Sequence, residues 1–299
     1  MKIASVRLPD STTALAEVVG TDVQIIEGAS GNDLLSVLTD PDSWTARGAS
    51  VPIDTIRFLS PVPQPVSLRD YMAYEDHIKN SLNGLGQTVN PDWYRAPLCF
   101  FQNPNAIIGP EDAVRRPKDC TRLDYEVEIA AIIGREASDI DPDDPNALDC
   151  IAGFTLMNDW SARDLSAKEM RHFMGPVKGK DFATSLGPWV VTPDEFTSLK
   201  TGVIDQHVVA RVNGKVTTDN NFSGMYFKWP QILAHASANT RLVPGDLLGS
   251  GTVGFGCLLE LRTKNKELGS EVYTFLADGD VVEIETPMFG VLRNVIGLA

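Results

Sequence analysis

Three acidic residues stand at every second position of one apolar segment, and this spacing is where the sequence first suggests chemistry. The segment runs from Leu123 to Gly134, and its acids are Asp124, Glu126 and Glu128. Side chains of a strand alternate between its two faces, so the pattern predicts a strand with one anionic face. Burying such a row of carboxylates costs several kcal/mol unless a cation or hydrogen-bond donors compensate. The anionic face therefore either meets water or holds a metal ion.

A fourth acid and the apolar surroundings of this strand favour the metal site. The alternating acids alone favour a solvent-facing strand, because half-exposed strands carry acids routinely. However, the opposite face and the continuation Ala130–Ile133 are apolar, which indicates a central strand. Asp159 follows another apolar run, Ile151–Met157. Carboxylates with no His or Cys nearby in the sequence form an oxygen-only site, which suits Mg²⁺, Mn²⁺ or Ca²⁺ rather than structural zinc.

A histidine near an acid supplies a candidate general base. The segment Arg69–Asn80 predicts a helix on which Asp70 and His77 are two turns apart and share one face. An imidazole close to a metal can take a proton from water near neutral pH when an acid fixes its tautomer. An isolated histidine is more often structural, and residue types alone do not choose between His77 and the other histidines, which are His172, His207 and His235.

The net charge and the composition restrict the classes of molecule that this protein could bind. The 299 residues carry a formal net charge of -14, so there is no basic surplus for binding nucleic acid or an anionic membrane. An anionic substrate would need a local basic pocket. No run of about 18 apolar residues occurs, and we expect a cytoplasmic enzyme or binding protein. The cysteines are scattered and are predicted to be buried thiols; they are Cys99, Cys120, Cys150 and Cys257.

The order of apolar runs and turn residues predicts two domains. Residues 1–60 alternate short apolar runs with turns and then give one helical pattern, Asn32–Leu38, which indicates a small N-terminal β-rich domain. The spaced prolines of Phe58–Val66 favour extended chain and mark the boundary. Residues 61–299 repeat strand and turn signals, as expected of a larger catalytic domain.

One glycine-rich segment, Gly249–Gly254, has the spacing of a dinucleotide-binding loop without its context. The residues that follow, Cys257–Arg262, predict a strand, and no strand–helix–strand unit surrounds the glycines. We therefore expect no nucleotide at this position.

Several blocks, taken in order, resemble the fumarylacetoacetate hydrolase family. They are Leu123–Glu128, Asn158–Asp164, Gly175–Lys180, Pro188–Val191, Gly249–Val253 and Leu259–Leu261. The Glu-x-Glu strand and the Asn-Asp-Trp-Ser-Ala-Arg-Asp block are the most specific. The resemblance implies an α+β, mostly β fold, namely a mixed β-sandwich roll with a small N-terminal β-rich domain. It also implies a homodimer and a divalent ion, Mg²⁺ or else Mn²⁺ or Ca²⁺.

The resemblance further suggests roles for individual residues. The matched positions are metal ligands at Glu126, Glu128, Asp159 and Asp70, a catalytic base at His77, its orienting acid at Glu260, an oxyanion-stabilising lysine at Lys180 and a substrate-contacting threonine at Thr252. Asp70 resembles the fourth carboxylate of the eukaryotic branch because it precedes a histidine at the same spacing. Asp159 and Arg163 are four residues apart at the start of a predicted helix, and Arg163 is interpreted as support for Asp159. Asp124 is interpreted as a structural acid or as an acid that supports the metal ligands.

These roles predict a metal-dependent hydrolase that cleaves a carbon–carbon bond in a small anionic β-diketo acid, such as an acylpyruvate or a relative of fumarylacetoacetate. Departures from the family leave the substrate open. Ser166 and Met170 replace a glutamine and a tyrosine of the eukaryotic enzyme, and Asn80 replaces a glutamate of the acylpyruvase branch. Two alternatives remain: a dehydratase, isomerase or decarboxylase of a 2-oxo acid on the same fold, and a metal-binding protein without turnover.

Overall fold

The computed structural model describes residues 1–84 and 86–297, apart from the side chains of residues 266 and 267, so the last two residues of the predicted catalytic domain lie outside it. Its strands are β1 (Lys2–Arg7), β2 (Thr13–Val19), β3 (Asp22–Ile26), β4 (Arg47–Pro52), β5 (Arg57–Phe58), β6 (Leu68–Tyr71), β7 (Cys99–Gln102), β8 (Ile107–Ile108), β9 (Ala113–Arg115), β10 (Leu123–Asp124), β11 (Val127–Ile133), β12 (Ala137–Ser138), β13 (Ile151–Asp159), β14 (Ser161–Ala162), β15 (Thr184–Leu186), β16 (Val190–Val191), β17 (His207–Val212), β18 (Lys215–Asn221), β19 (Arg241–Leu242), β20 (Leu247–Gly249), β21 (Val281–Thr286) and β22 (Gly290–Gly297). Its α-helices are α1 (Leu34–Thr39), α2 (Glu75–Asn83), α3 (Arg163–Met170), α4 (Trp229–Ser237), α5 (Leu258–Leu261) and α6 (Asn265–Leu268). The mostly β composition predicted from the sequence is confirmed.

One large sheet carries the acidic strand in its interior. Its main path follows the order β4-β3-β2-β1-β16-β13-β11-β20-β6-β7, with β5, β8 and β15 attached beside it. Strand β11 pairs antiparallel with β13 on one side and with β20 on the other, and β20 pairs parallel with β6. The predicted central strand is therefore confirmed, and segments far apart in sequence become its neighbours.

The N-terminal segment adds its strands to this sheet. Strands β1 to β4 form the predicted run of short antiparallel strands, and the predicted helical pattern forms α1. Strand β1 also pairs with β16, with Ile3 opposite Val190. The sheet is thus continuous across the proposed boundary near residue 60, and the division into two domains stays a prediction.

A second sheet, in the order β18-β17-β21-β22-β9, packs against the first. The largest hydrophobic cluster lies between the two and contains the apolar face of the acidic strand, namely Leu123, Tyr125, Val127 and Ile129. Phe154 on β13 and Trp229 on α4 also lie in this cluster, with ring centroids 5.2 Å apart. Burying a large apolar side chain contributes about 1.5–3 kcal/mol, so this cluster fixes which face the acids occupy.

Three local predictions are wrong. Arg69–Asn80 is not one helix, because Leu68–Tyr71 pairs with β20 and β7 as a strand and α2 begins only at Glu75. Asp70 and His77 therefore do not share a helical face. Cys257–Arg262 contains helix α5 rather than a strand, and the Asp124 carboxylate accepts hydrogen bonds from the first backbone N–H groups of that helix. Asp159 ends a strand, so it is not on the helix of Arg163.

No helix within the described ranges combines the length and the apolar character needed to cross a bilayer.

Candidate metal and catalytic site

Three strands from the consecutive run β13-β11-β20-β6 of the large sheet bring three of the predicted metal ligands together. Asp70 lies on β6, Glu128 on β11 and Asp159 at the end of β13. Carboxylate oxygens of these three residues lie within 4.8 Å of one another. Each of the three is at most 2% exposed. The alternative of a solvent-facing acidic strand is therefore excluded.

Glu126, the fourth predicted ligand, faces two cations at the edge of this group. The Lys180 ammonium donates hydrogen bonds to Glu126 and to Asp159, and so links the fourth acid to the other three. Arg163 donates to the second oxygen of Glu126 at 2.8 Å. Burial opposes ionisation of Glu126, but the positive charges of Arg163 and Lys180 outweigh it and hold the pKa of this carboxyl well below its usual value.

The positive charge of Lys180 compensates only part of the negative charge of the three clustered carboxyls. Burial, followed by the charges of Asp70 and Asp159, raises the pKa of Glu128 well above its usual value. Burial raises the pKa of Asp70 to about 6. Asp159 Oδ1 is buried and has no hydrogen-bond partner among residues 1–84 and 86–297. The group offers only oxygen ligands, one of which accepts no hydrogen bond, and it carries uncompensated negative charge. These properties fit a divalent ion such as Mg²⁺, Mn²⁺ or Ca²⁺.

The loop after β20 closes the site against these acids. The Gly251 N–H lies 3.2 Å from Asp70 Oδ1 and 3.1 Å from Glu128 Oε2. The Thr252 hydroxyl donates to Glu128 Oε1 at 3.1 Å. Thr252 thus lies beside the clustered carboxylates, and its contact with substrate stays a prediction.

Substituting Gly251 with alanine is expected to destabilise the protein by about 2 kcal/mol or more. Gly251 has φ +80°, and a Cβ there would strike the carbonyl oxygen of Tyr71. Chemical denaturation would measure the loss of unfolding free energy. The matched control is Gly224→Ala, where a Cβ would meet nothing within 4 Å. Equal stability of the two variants would contradict this account of the loop.

The predicted base and its orienting acid come together from α2 and α5. His77 Nδ1 lies 2.8 Å from Glu260 Oε2, and His77 Nε2 lies 4.0 Å from Glu126 Oε1. Burial alone would lower the pKa of His77, but the charge and the hydrogen bond of Glu260, together with the charge of Glu126, outweigh it and the net pKa is raised. His172 is exposed, His207 pairs with exposed Asp219 and His235 contacts Tyr71, so the geometry singles out His77 among the four histidines for this site.

The interpretation of Arg163 as support for Asp159 is wrong. Its guanidinium donates to Asp124 at 2.9 Å and to Glu126 at 2.8 Å. The pairing of β10 with β14 places Ser161 opposite Asp124, so the start of α3 lies beside the acidic strand. Asp124 accepts from Arg163 and also from the backbone of α5, and it thereby links the acidic strand to the helix that carries Glu260.

Substituting Arg163 with leucine is expected to cost about 3–5 kcal/mol of stability, because it leaves Asp124 and Glu126 buried beside an apolar side chain. Urea unfolding would measure the loss. Arg171→Leu, at an exposed position just beyond the same helix, is the control. A loss below about 1 kcal/mol in the Arg163 variant would show that the buried pairs are not structurally important.

Sequence reasoning missed two residues near the site. The Gln102 amide accepts a hydrogen bond from Thr184 at 2.8 Å, while its buried Nε2 finds no partner in the part of the chain that the structure describes. Cys257 is buried, as predicted, but its Sγ lies 3.2 Å from Glu260 Oε2. The only available signal for Cys257 was its place three residues before Glu260.

The chain is similar to known proteins over most of its length. Residues 67–297 match the family described as fumarylacetoacetate (FAA) hydrolase C-terminal. A fumarylacetoacetase from Arabidopsis thaliana is 33% identical over 265 residues, which cover 71% of this chain and 63% of that protein. A mitochondrial oxaloacetate tautomerase from Rattus norvegicus is 31% identical over 283 residues, which cover 92% of this chain and 79% of that protein.

A solved structure shows the same fold. The fumarylacetoacetate hydrolase from Exiguobacterium antarcticum superposes with a TM-score of 0.76 at 27% identity, over the whole of both chains. The predicted mixed β fold is thereby confirmed.

Proposed function

Because this chain belongs to the fumarylacetoacetate hydrolase family, we propose that it is a metal-dependent hydrolase that cleaves a carbon–carbon bond in a β-diketo acid. The observation that carries this proposal is the His77–Glu260 pair beside a buried group of carboxylates. A general base next to an oxygen-only cation site is the combination that activates water against a chelating diketo acid. The proposed substrate class is an acylpyruvate or a relative of fumarylacetoacetate.

Asp70, Glu128 and Asp159, together with Glu126, would hold the divalent ion. Bound there, the ion would act as a Lewis acid on the two oxygens of the diketo acid and would stabilise the negative charge of the leaving group. The donor set supports a hard cation, and Mg²⁺ is the proposed ion, with Mn²⁺ and Ca²⁺ as alternatives.

His77 supplies the proton transfers. With Nδ1–H donated to Glu260, Nε2 is free to take a proton from water as the water oxygen attacks the acyl carbonyl carbon. The bond between that carbon and the neighbouring methylene carbon then breaks, and its electron pair stays on the methylene carbon. Protonated His77 returns the proton to this carbon. One water and one β-diketo acid thus give a carboxylic acid and a 2-oxo acid.

Lys180 and Thr252 are proposed to contact the substrate. The Lys180 ammonium, beside Glu126 and Asp159, is placed to offset the negative charge on the attacked oxygen, a contribution of about 3 kcal/mol for a single donor. Together with Arg163, it also supplies the local positive charge that an anionic substrate needs in a chain of net charge -14. The homodimer and the cytoplasmic location stay predictions, which size measurement in solution and cell fractionation would test.

A second candidate function keeps the same residues without breaking a carbon–carbon bond. The relative from Rattus norvegicus that covers 92% of this chain is an oxaloacetate tautomerase. A base positioned like His77 could move a proton between the carbon and the oxygen of a 2-oxo acid. This reaction belongs to the isomerase alternative.

Parallel assays would separate the two candidates. Acetylpyruvate and oxaloacetate would be incubated with the protein and Mg²⁺, with chelator-treated protein as the control. The proposed hydrolase gives acetate and pyruvate in equal amounts from acetylpyruvate, and only with metal. Enol-to-keto conversion of oxaloacetate, with no fragment from any β-diketo acid, would overturn the hydrolase proposal and favour the tautomerase.

A further inference from the structure

The Glu260 carboxylate, which is fully buried, is contacted by four groups. The Phe255 backbone N–H donates to Oε1 at 2.8 Å, and Asn80 Nδ2 donates to the same oxygen at 3.0 Å. Cys257 Sγ lies 3.2 Å from Oε2, and His77 Nδ1 lies 2.8 Å from it. Each oxygen of the Glu260 carboxylate therefore has two partners within the protein.

We infer that Asn80 and Cys257 are positioning residues, which act through Glu260 to hold His77 in the tautomer that carries its proton on Nδ1. This inference rests on the reaction proposed above, in which His77 Nε2 must be free to accept a proton. A neutral imidazole has one donor and one acceptor nitrogen, so fixing the proton on Nδ1 leaves the lone pair on Nε2.

The argument follows from what each partner of Glu260 can do. A backbone N–H only donates. The Asn80 amide must turn its NH₂ to the carboxylate, because its oxygen there would face another acceptor. Burial raises the pKa of the Cys257 thiol well above its usual value, so the thiol keeps the proton that it donates. With three donors around an acceptor-only carboxylate, the fourth partner, His77 Nδ1, also donates.

The position of Asn80 explains why it acts with His77. The two residues are three apart on α2 and therefore lie on the same side of the helix, and both reach the same carboxylate on α5. In the related branch described above, a glutamate stands at this position. Here an acid at position 80 would bring a second carboxylate against Glu260 at about the distance of the present hydrogen bond, 3.0 Å.

The variants that test this inference remove one donor at a time. Asn80→Asp replaces the donor by an acceptor, and Asn80→Ala removes it without adding charge. Cys257→Ala removes the thiol, whereas Cys257→Ser keeps a donor at the same place. Asn83→Asp is the matched control, since Asn83 is exposed on the same helix.

The direct readout is the tautomer of His77, measured by ¹⁵N NMR of the neutral imidazole and assigned with a His77 variant. The wild type and Asn83→Asp are expected to carry the proton on Nδ1. Asn80→Asp and Cys257→Ala are expected to move part of the population to Nε2, and Cys257→Ser to restore the wild-type signal. An unchanged tautomer in folded Asn80→Asp, Asn80→Ala and Cys257→Ala would overturn the inference.

Kinetics and a double-mutant cycle complete the test. On whichever substrate the wild type converts, loss of a hydrogen bond to a charged group is expected to lower kcat about ten- to a hundredfold, with KM nearly unchanged. The effect of Asn80→Ala should disappear in a Glu260→Gln background, because Asn80 acts through Glu260. An effect that persists in that background would overturn the inference. The tautomer is independent of the reaction, so a failed hydrolase assay with the expected NMR result would refute the proposed function alone.

Discussion

Substituting His77 with alanine is expected to lower kcat by about 10²- to 10⁴-fold, while the affinity for the metal stays close to that of the wild type. The imidazole lies beside the acids without belonging to the carboxylate group, since its Nδ1 is used by Glu260 and its Nε2 is 4.0 Å from Glu126. Its loss removes the proposed base and leaves Asp70, Glu128 and Asp159 in place. Steady-state kinetics and metal titration by calorimetry would measure the two effects.

The control for this prediction is His207→Ala, because His207 pairs with exposed Asp219 and lies outside the site. It should retain wild-type kcat and wild-type metal affinity. If His77→Ala changed only stability, the proposed catalytic role would be wrong, and the alternative of a metal-binding protein without turnover would gain support.

Substituting Glu128 with glutamine is expected to abolish the stabilisation that the metal confers. A ligand present at 100 times its Kd stabilises a protein by about 2.7 kcal/mol, and this gain requires an intact site. Glu128 is fully buried and contributes to the group with Asp70 and Asp159. Thermal unfolding with and without Mg²⁺ would measure the difference, and activity should be lost with it.

The sign of the effect without metal distinguishes a metal ligand from a merely structural acid. Burial and two neighbouring acids raise the pKa of Glu128, so a neutral amide of the same shape relieves repulsion in the metal-free protein. The variant should then be at least as stable as the wild type without metal, and less stable with it. Asp42→Asn, at an exposed position, serves as the control. A full metal-dependent rise in Tm for Glu128→Gln would contradict the assignment.

The acidic strand could be predicted from the sequence because the residues that identify it are close together along the chain. Alternation places Glu126 and Glu128 on one face, and the apolar residues between them identify a buried strand. The resemblance to the family supplied Asp70, His77 and Glu260, and the structure brings each of them to the site. Their roles in metal binding and catalysis stay predictions.

Errors arose where distant partners decide the local structure. The segment from Arg69 has a helical pattern, but pairing with β20 makes its first residues a strand. Cys257–Arg262 is apolar enough for a strand, but the carboxylate of Asp124 accepts from the N–H groups of Leu258 and Leu259 and favours a helix. Neither partner can be found by examining the segment itself.

The spacing of residues along the sequence also did not predict the contacts of charged side chains. An i, i+4 rule connected Arg163 with Asp159, whereas the fold places Arg163 against Asp124 and Glu126. The donors around Glu260 come together only because α2 packs against α5, which brings Asn80 next to Cys257. The spacing of residues thus identified the buried acids of the central strand, but not the side chains that contact them.

The most direct test of the central claim is to follow the oxygen of the attacking water. Acetylpyruvate would be incubated with the Mg²⁺-loaded protein in H₂¹⁸O, and the products would be analysed by mass spectrometry. Hydrolysis assisted by His77 predicts acetate with one ¹⁸O from solvent, formed in equal amount with pyruvate, and formation of acetate about 10²- to 10⁴-fold slower with the His77→Ala variant. Recovery of the intact diketo acid, or its conversion to a tautomer with no acetate, would contradict the proposal that this chain is a carbon–carbon hydrolase.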